Sequence, residues 1–305
     1  MIDHVLIVGG SGFVGRTLVK KMLKNGYLVS VLSRNVNRTI ETFPPGVKVV
    51  GDLSSNNGNH PYSIIINLAG ETIAQYWTDN IKERIMDSRV EMNKKIVDYI
   101  SKAQHKPLLF IAASGVGYYG IDLEEKFTEK SQPTAASKDL FIVSLCKNLE
   151  RVARNAEEFG VRTCFLRSGV VLEKDGGILS KLLLPYNMGL GGRIGSGRQW
   201  FSWIHRDDLI NIIFHIIAHK TIHGPVNATS PNPVTNKQFT EILSRTVKRP
   251  AFFALPNFYI KLMFGQMGEE LLLNGQYVVP KLLMDSNFDY KYPTLKDALM
   301  AITSY

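Results

Sequence analysis

The run Val5-Leu6-Ile7-Val8 leads directly into Gly9-Gly10-Ser11-Gly12-Phe13-Val14-Gly15, and this junction restricts the fold more than any other segment. Four consecutive β-branched or aliphatic residues suit a strand buried on both faces. The residues that follow place Leu18, Met22 and Leu23 among Lys20, Lys21 and Lys24, a helical pattern that Gly26 ends. Gly9 permits a tight turn, Gly12 lets the backbone approach a pyrophosphate, and Gly15 lets helix and strand pack closely. The helix N-terminus adds free N–H groups and partial positive charge. A glycine pattern alone is weak. Between a strand and a helix it points to a dinucleotide site that includes Gly9, Gly12, Phe13, Val14 and Gly15.

The pattern then repeats. Strands are expected at 27–32, 47–50, 64–66, 108–112 and 161–166, and helices at 78–102 and 137–159. This alternation predicts an α/β fold, a Rossmann-type doubly wound parallel sheet. Asp207 is expected to be the N-cap of an apolar helix over 209–217. Beyond Arg249-Pro250 short helical pieces are broken by Pro256, Gly265, Gly275, Pro280 and Pro293, which predicts a small, mainly helical C-terminal lobe. The expected division is 1–235 for the nucleotide-binding domain and 236–305 for the lobe.

The second strand ends in Leu32-Ser33-Arg34-Asn35. An acidic residue here would hold a ribose 2′-OH; Ser33 and Arg34, with help from Arg38, suit a 2′-phosphate instead. The expected cofactor is therefore NADP(H), ahead of NAD(H), although a solvated surface arginine is the plainer alternative. Asp52, beside Leu53, can hydrogen-bond an adenine edge or simply sit in an exposed turn. Leu68, Ala69 and Gly70 are small enough to leave room beside a cofactor.

Composition narrows the partners. The net charge is +9, yet Lys and Arg are scattered, which suits a phosphate-bearing small molecule and gives no nucleic-acid motif. Cys146 and Cys164 form no CxxC or Cys/His cluster, so neither a disulfide scaffold nor a metal site is expected. No stretch reaches the ~20 apolar residues of a membrane span. These features predict a cytoplasmic protein with a small-molecule substrate, no membrane partner, and either a monomer or a homodimer.

The stretches GGSGFVG (9–15), NLAGE (67–71), SGVGYYG (114–120), FLRSGVVLEKDGG (165–177), GLGGRIGSGRQWFSWIHRDD (189–208) and GPVNATSPNPVTN (224–236) resemble the extended short-chain dehydrogenase/reductase superfamily. Within it, the sequence is similar to the YfcH-like epimerase family, whose particular C-terminal domain RPAFFALPNFYIKLMFG (249–265) resembles. The resemblance implies NADP(H) binding and a substrate site between the sheet's C-terminal edge and the C-terminal lobe. It implies that Ser114 orients the substrate oxygen, and that Arg167 and Gly169 flank the cofactor's reactive end. Active members of the superfamily carry a Tyr-x-x-x-Lys pair on the helix after the fifth strand, in which the lysine helps lower the tyrosine pKa. Here Ile142 and Cys146 fall on those places, and Arg89 falls near the place of the superfamily's helix asparagine. The strings Tyr277/Lys281 and Tyr292/Lys296 contain proline and read as chance.

Catalysis then needs another proton donor, and Tyr118 is the expected one, with Tyr119 beside it. Further pocket candidates are Glu71, Trp77, Arg198, Trp200, Trp203 and His205, an aromatic wall with charge that suits a flat or anionic substrate. Core packing is the plainer alternative for the tryptophans, and a backbone hydrogen bond for His205. The expected function is an atypical NADP(H)-dependent oxidoreductase or nucleoside-diphosphate-sugar epimerase-like enzyme. The alternative is a non-catalytic NADP(H)-binding sensor or regulatory protein.

Overall fold

A computed structural model describes residues 3–53 and 61–304 and sets the strand before the glycine turn in the middle of a parallel sheet. The chain begins β1 (His4–Val8), α1 (Gly15–Lys24), β2 (Leu28–Leu32), α2 (Val36–Ile40), β3 (Val47–Val50), β4 (Ile64–Asn67) and α3 (Asp79–Lys102). It continues β5 (Leu109–Gly115), β6 (Lys126–Phe127), α4 (Phe141–Arg154), β7 (Arg162–Ser168), β8 (Val170–Glu173), β9 (Gly176–Gly177) and α5 (Leu179–Asn187). Then come β10 (Trp200–Phe201), β11 (Trp203–His205), α6 (Arg206–Ala218), β12 (Gly224–Ala228) and β13 (Val234–Thr235). The C-terminal segment holds α7 (Asn236–Val247), α8 (Asn257–Leu271), β14 (Tyr277–Val278), α9 (Lys281–Asp285) and α10 (Leu295–Thr303).

The main sheet has the order β3-β2-β1-β4-β5-β7-β12, and every pairing in it is parallel. The two-residue period of a strand sorts its side chains into two cores. Val5 and Ile7 join Ile64, Ile66, Ile111 and Leu166 against α1 and α6, where Leu18, Met22, Leu209 and Ile213 pack. Leu6 and Val8 join Ile65, Phe110 and Phe165 on the other face, against Ile96 and Ile100 of α3. This two-faced burial is why the strands read as unbroken apolar runs. A third cluster joins α5, α7 and α10 through Leu179, Phe239, Leu243 and Leu299. Among the described residues, no helix is long and apolar enough to cross a membrane.

The glycine turn follows the sterics expected of it. Gly9 has φ +81°, and a Cβ there would lie 2.8 Å from the backbone N of Ala69. A Cβ on Gly15 would overlap the Gly9 carbonyl oxygen. The turn closes with Gly12 N–H donating to Gly9 O at 3.0 Å.

Helix α6 starts earlier than the sequence predicts. Its N-cap is His205, not Asp207: His205 Nδ1 accepts the Asp207 N–H at 3.0 Å. Asp207 and Asp208 sit in the first turn, where negative charge suits the helix dipole. Asp208 is fully buried and accepts the amides of Lys291 and Tyr292 at 2.8 and 2.9 Å, which ties the C-terminal segment to the sheet. Burial lowers the His205 pKa from 6.5 to about 4, with Asp207 opposing and Lys291, Arg206 and Lys21 reinforcing.

Gly15→Ala is expected to cost about 1–3 kcal/mol through overpacking, read as a lower urea midpoint. Gly12→Ala, whose Cβ meets only Gly9 O at 3.2 Å, is expected to cost less. At His205 the unfolded chain takes up a proton near pH 6.5 and the folded chain only near 4. Between these values the unfolded state binds more protons, so stability falls as the pH falls. His205→Asn keeps a capping acceptor and removes this contribution. Its thermal midpoint is expected to drop less than that of the wild type between pH 7 and 4, and equal drops would remove His205 from the acid response.

Candidate functional site

Ligands of doubly wound sheets bind outside the carboxyl ends of the strands, where the strand order reverses. Here β1 lies between β2 and β4, and a cleft of about 760 Å³ opens at that point. Gly9, Gly12, Ser33, Arg34, Leu68, Ala69 and Gly70, the sequence's cofactor candidates, line it together with Glu71, which the sequence offers as a substrate-pocket candidate. Arg16, Arg38 and Lys95 add positive charge, while Asp87 and Glu91 add carboxylates. Asn35 Oδ1 accepts the Arg38 N–H at 3.2 Å, and Ser33 Oγ lies 2.7 Å from Thr39 Oγ1. These bonds shape the β2–α2 turn so that Arg34 and Arg38 share one wall. The side chains of Phe13 and Val14 turn away: Phe13 packs on Gly176 and under Arg206, and Val14 packs against the core. Asp52 and Leu53 follow β3 but are not among the residues that line the cleft, and Leu53 packs against the core beneath.

A second cavity of about 440 Å³ shares the Leu68–Ala69 wall. Ser114 and Gly115 from the end of β5, Ser168 at the end of β7 with Gly169 after it, and Trp200 from β10 line it. Helix α4 contributes Ile142, Cys146 and Leu149, and the C-terminal lobe contributes Glu270, Asn274 and Gln276. Ile142, Cys146 and Glu150 follow one another at four-residue spacing, so they form one stripe on α4. Glu150 anchors the site. Its Oε1 accepts from Ser114 Oγ at 2.8 Å, and its two oxygens accept from Arg167 Nε and Nη2 at 2.8 and 2.7 Å. Cys146 is buried, and that burial above all, followed by Glu150, pushes its thiol up to about 11, so it is a neutral group.

The remaining expected residues are placed elsewhere, each for a packing reason. Arg167 is 3% exposed, pairs with Glu150 and is not among the residues that line either cavity. Tyr118, the sequence's expected proton donor, lines neither cavity: its ring covers Arg167, with 3.4 Å from guanidinium to centroid, and its hydroxyl donates to Gln132 Oε1 at 3.1 Å. Tyr119 is fully buried; its hydroxyl donates to Asn227 Oδ1 at 2.6 Å and accepts from Arg167 Nη1 at 2.9 Å. Burial pushes its pKa up to about 12. Trp77 lies in the core, edge-on to Phe141, with Nε1 bonded to Ile73 O. Trp203 is fully buried and donates to Asn232 O, while His205 caps α6 and stacks on Tyr292. Arg198 is exposed outside both cavities. Tyr277 and Lys281 fall in β14 and α9, so they share no helix face.

Three cavity residues had no role in the sequence reading. Glu270 comes from α8, past an interruption at Gly265, and is 5% exposed. Its carboxylate accepts the Phe141 and Ile142 amides at 3.3 and 3.0 Å, capping α4 from another part of the chain. Asn274 and Gln276 follow it along the same wall. Nothing local in the sequence marks Glu270, because the amides it accepts lie 128 and 129 positions away.

Residues 5–228 match the model of the NAD dependent epimerase/dehydratase family, and residues 255–302 match a domain of unknown function, DUF1731. The epimerase family protein SDR39U1 homolog, chloroplastic, of Arabidopsis thaliana is 36% identical over 98% of this chain and 86% of its own length. The epimerase family protein YfhF of Bacillus subtilis is 35% identical over 97% of this chain and 96% of its own. A crystal structure of the human epimerase family protein SDR39U1 with NADPH superposes with a TM-score of 0.87, at 32% identity and 99% coverage of both chains.

Proposed function

The chain belongs to the NAD dependent epimerase/dehydratase family, and we propose that it is an NADP(H)-dependent oxidoreductase or epimerase-like enzyme acting on a small polar molecule. The observation that carries this reading is the common wall at Leu68 and Ala69, where the glycine-turn cleft meets the cavity that bears Ser114. The residues present fit a dinucleotide. A side chain at Gly15 would fill the turn's own backbone and one at Gly9 would meet the backbone of Leu68 and Ala69, and Arg34 and Arg38 on the cleft wall supply cations that suit a 2′-phosphate. The human relative's structure with NADPH supports NADP(H) ahead of NAD(H).

NADP(H) supplies a hydride donor or acceptor when bound. The chain's own residues then have to move a proton, and Ser114 is the group placed for it. Its hydroxyl donates to Glu150 Oε1. In an oxidation, a substrate hydroxyl passes its proton to Ser114 Oγ as that oxygen gives its own to Glu150; a reduction runs the route backwards. Arg167 holds Glu150 in position with two hydrogen bonds. The C-terminal lobe, 236–305 in this reading, closes the cavity through Glu270 and Gln276 and shields the reacting atoms from water. A cytoplasmic setting belongs to the same reading, supported by two free, buried thiols.

One observation favours the second reading, an NADP(H)-binding protein without catalysis: Ile142 and Cys146 line the cavity where the resemblance places tyrosine and lysine. A panel of carbonyl compounds and sugar nucleotides, followed by NADPH absorbance, separates the two. Ser114→Ala is expected to lower kcat by about 10²-fold and to leave NADPH affinity unchanged. Tight NADPH binding with no turnover on any compound would decide for the second reading. Arg34→Ala is expected to weaken NADPH by roughly tenfold and NADH far less; equal weakening of both would remove the 2′-phosphate assignment.

A further inference from the structure

Two guanidinium groups lie at the carboxyl edge of the sheet, one buried and one half-buried. One, Arg167, has its carboxylate in Glu150. The other is Arg89, on α3. Its Nη1 donates to Ile85 O of its own helix at 3.3 Å. Among the described residues, no carboxylate comes within ion-pair distance of it. The two nearby candidates are engaged elsewhere. Glu71 faces Arg84 at 3.6 Å, and both oxygens of Glu270 accept bonds from Phe141, Ile142 and Gln266.

The chain holds Arg89 in place by leaving space for it. A Cβ on Gly70 would fall within the Arg89 guanidinium, so this plane lies directly on the backbone that follows β4. From there Arg89 lines the second cavity together with Ser114, and it does not line the glycine-turn cleft. Burial lowers its pKa from the ordinary guanidinium value, with Cys146 and Glu71 acting the other way. Charges removed from water are paired in folded proteins, because an unpaired one is costly.

We propose that Arg89 is the anion anchor of the second cavity, and that the substrate carries an oxyanion, a carboxylate or a phosphoryl group, which this guanidinium holds. The planar fork of an arginine matches either group through two parallel hydrogen bonds. Held at that end, the substrate presents its reacting oxygen to Ser114 on the same cavity. The proposal rests on the reading of the cavity as a substrate site beside a cofactor.

The test uses the full chain, with and without NADP+, and two matched pairs of carbonyl probes: 2-oxobutyrate with its methyl ester, and dihydroxyacetone phosphate with dihydroxyacetone. Binding is read by calorimetry on the wild type, Arg89→Gln and Arg89→Lys, and NADPH affinity is measured separately on each. One anionic probe is expected to bind the wild type at least about tenfold more tightly than its neutral counterpart. That preference is expected to vanish in Arg89→Gln and to return in part in Arg89→Lys, with NADPH affinity unchanged throughout. The pair that shows the preference tells carboxylate from phosphoryl. No preference for either anion in the wild type, or a preference that survives Arg89→Gln, overturns the proposal. A tenfold loss of NADPH affinity in Arg89→Gln also overturns it, by assigning Arg89 to the cofactor. Arg89-dependent anion binding in a protein that binds no NADPH would uphold the anchor and refute the cofactor reading instead.

Discussion

Glu150 and Arg167 are buried together at the carboxyl edge of the sheet, 5% and 3% exposed. Withdrawing each charge from water costs several kcal/mol, which the pair recovers only through good geometry and further hydrogen bonds. Here both conditions hold. The pair is bidentate, Ser114 adds a third donor to Glu150, and Arg167 reaches on to Tyr119. Tyr119 in turn meets Asn227 of β12, whose amide side chain donates to Val279 O of the C-terminal segment. One ion pair thus joins β5, β7, α4, β12 and the lobe. Loss of either partner would strand a buried charge at a cost of about 3–5 kcal/mol, a large share of a typical folding free energy of about 5–15 kcal/mol. The serine's position is therefore as firm as the fold itself.

The sheet was legible because its signal is local and repeated. Each strand is a short apolar run, and the two-residue period then divides it between two cores without further information. The glycine turn was legible for the same reason, since its sterics involve neighbours in the chain. Side-chain direction was not. Arg167, Tyr118, Trp203 and His205 all lie in stretches that do border the site, yet each side chain points to a partner that the sequence does not show. For His205 the plainer of its two readings holds, a backbone hydrogen bond: it is the acceptor for a helix that begins one residue later. Arg89 and Glu270 were least legible, because a guanidinium resting on Gly70 and a carboxylate capping a helix 129 residues away are products of tertiary approach.

Helix α4 shows how a site can lose one kind of chemistry while its frame persists. The stripe Ile142, Cys146, Glu150 still faces the ends of β5 and β7. Hydrocarbon and a neutral thiol occupy its first two positions, and the ionisable group sits one turn further on. That ionisable group lies deeper, against the sheet, and Ser114 of the cavity wall donates to it.

The capping of α4 by Glu270 has a mechanical consequence. The same carboxylate that closes the cavity from the C-terminal lobe also terminates the helix that forms the opposite wall. Lifting the lobe away would expose two amides at the start of α4 and loosen the turn that carries Ile142. The two walls are thus latched to each other, and wide separation carries the free-energy cost of a lost helix cap. Any movement that parts the two walls therefore also breaks the bonds from the Phe141 and Ile142 amides to Glu270.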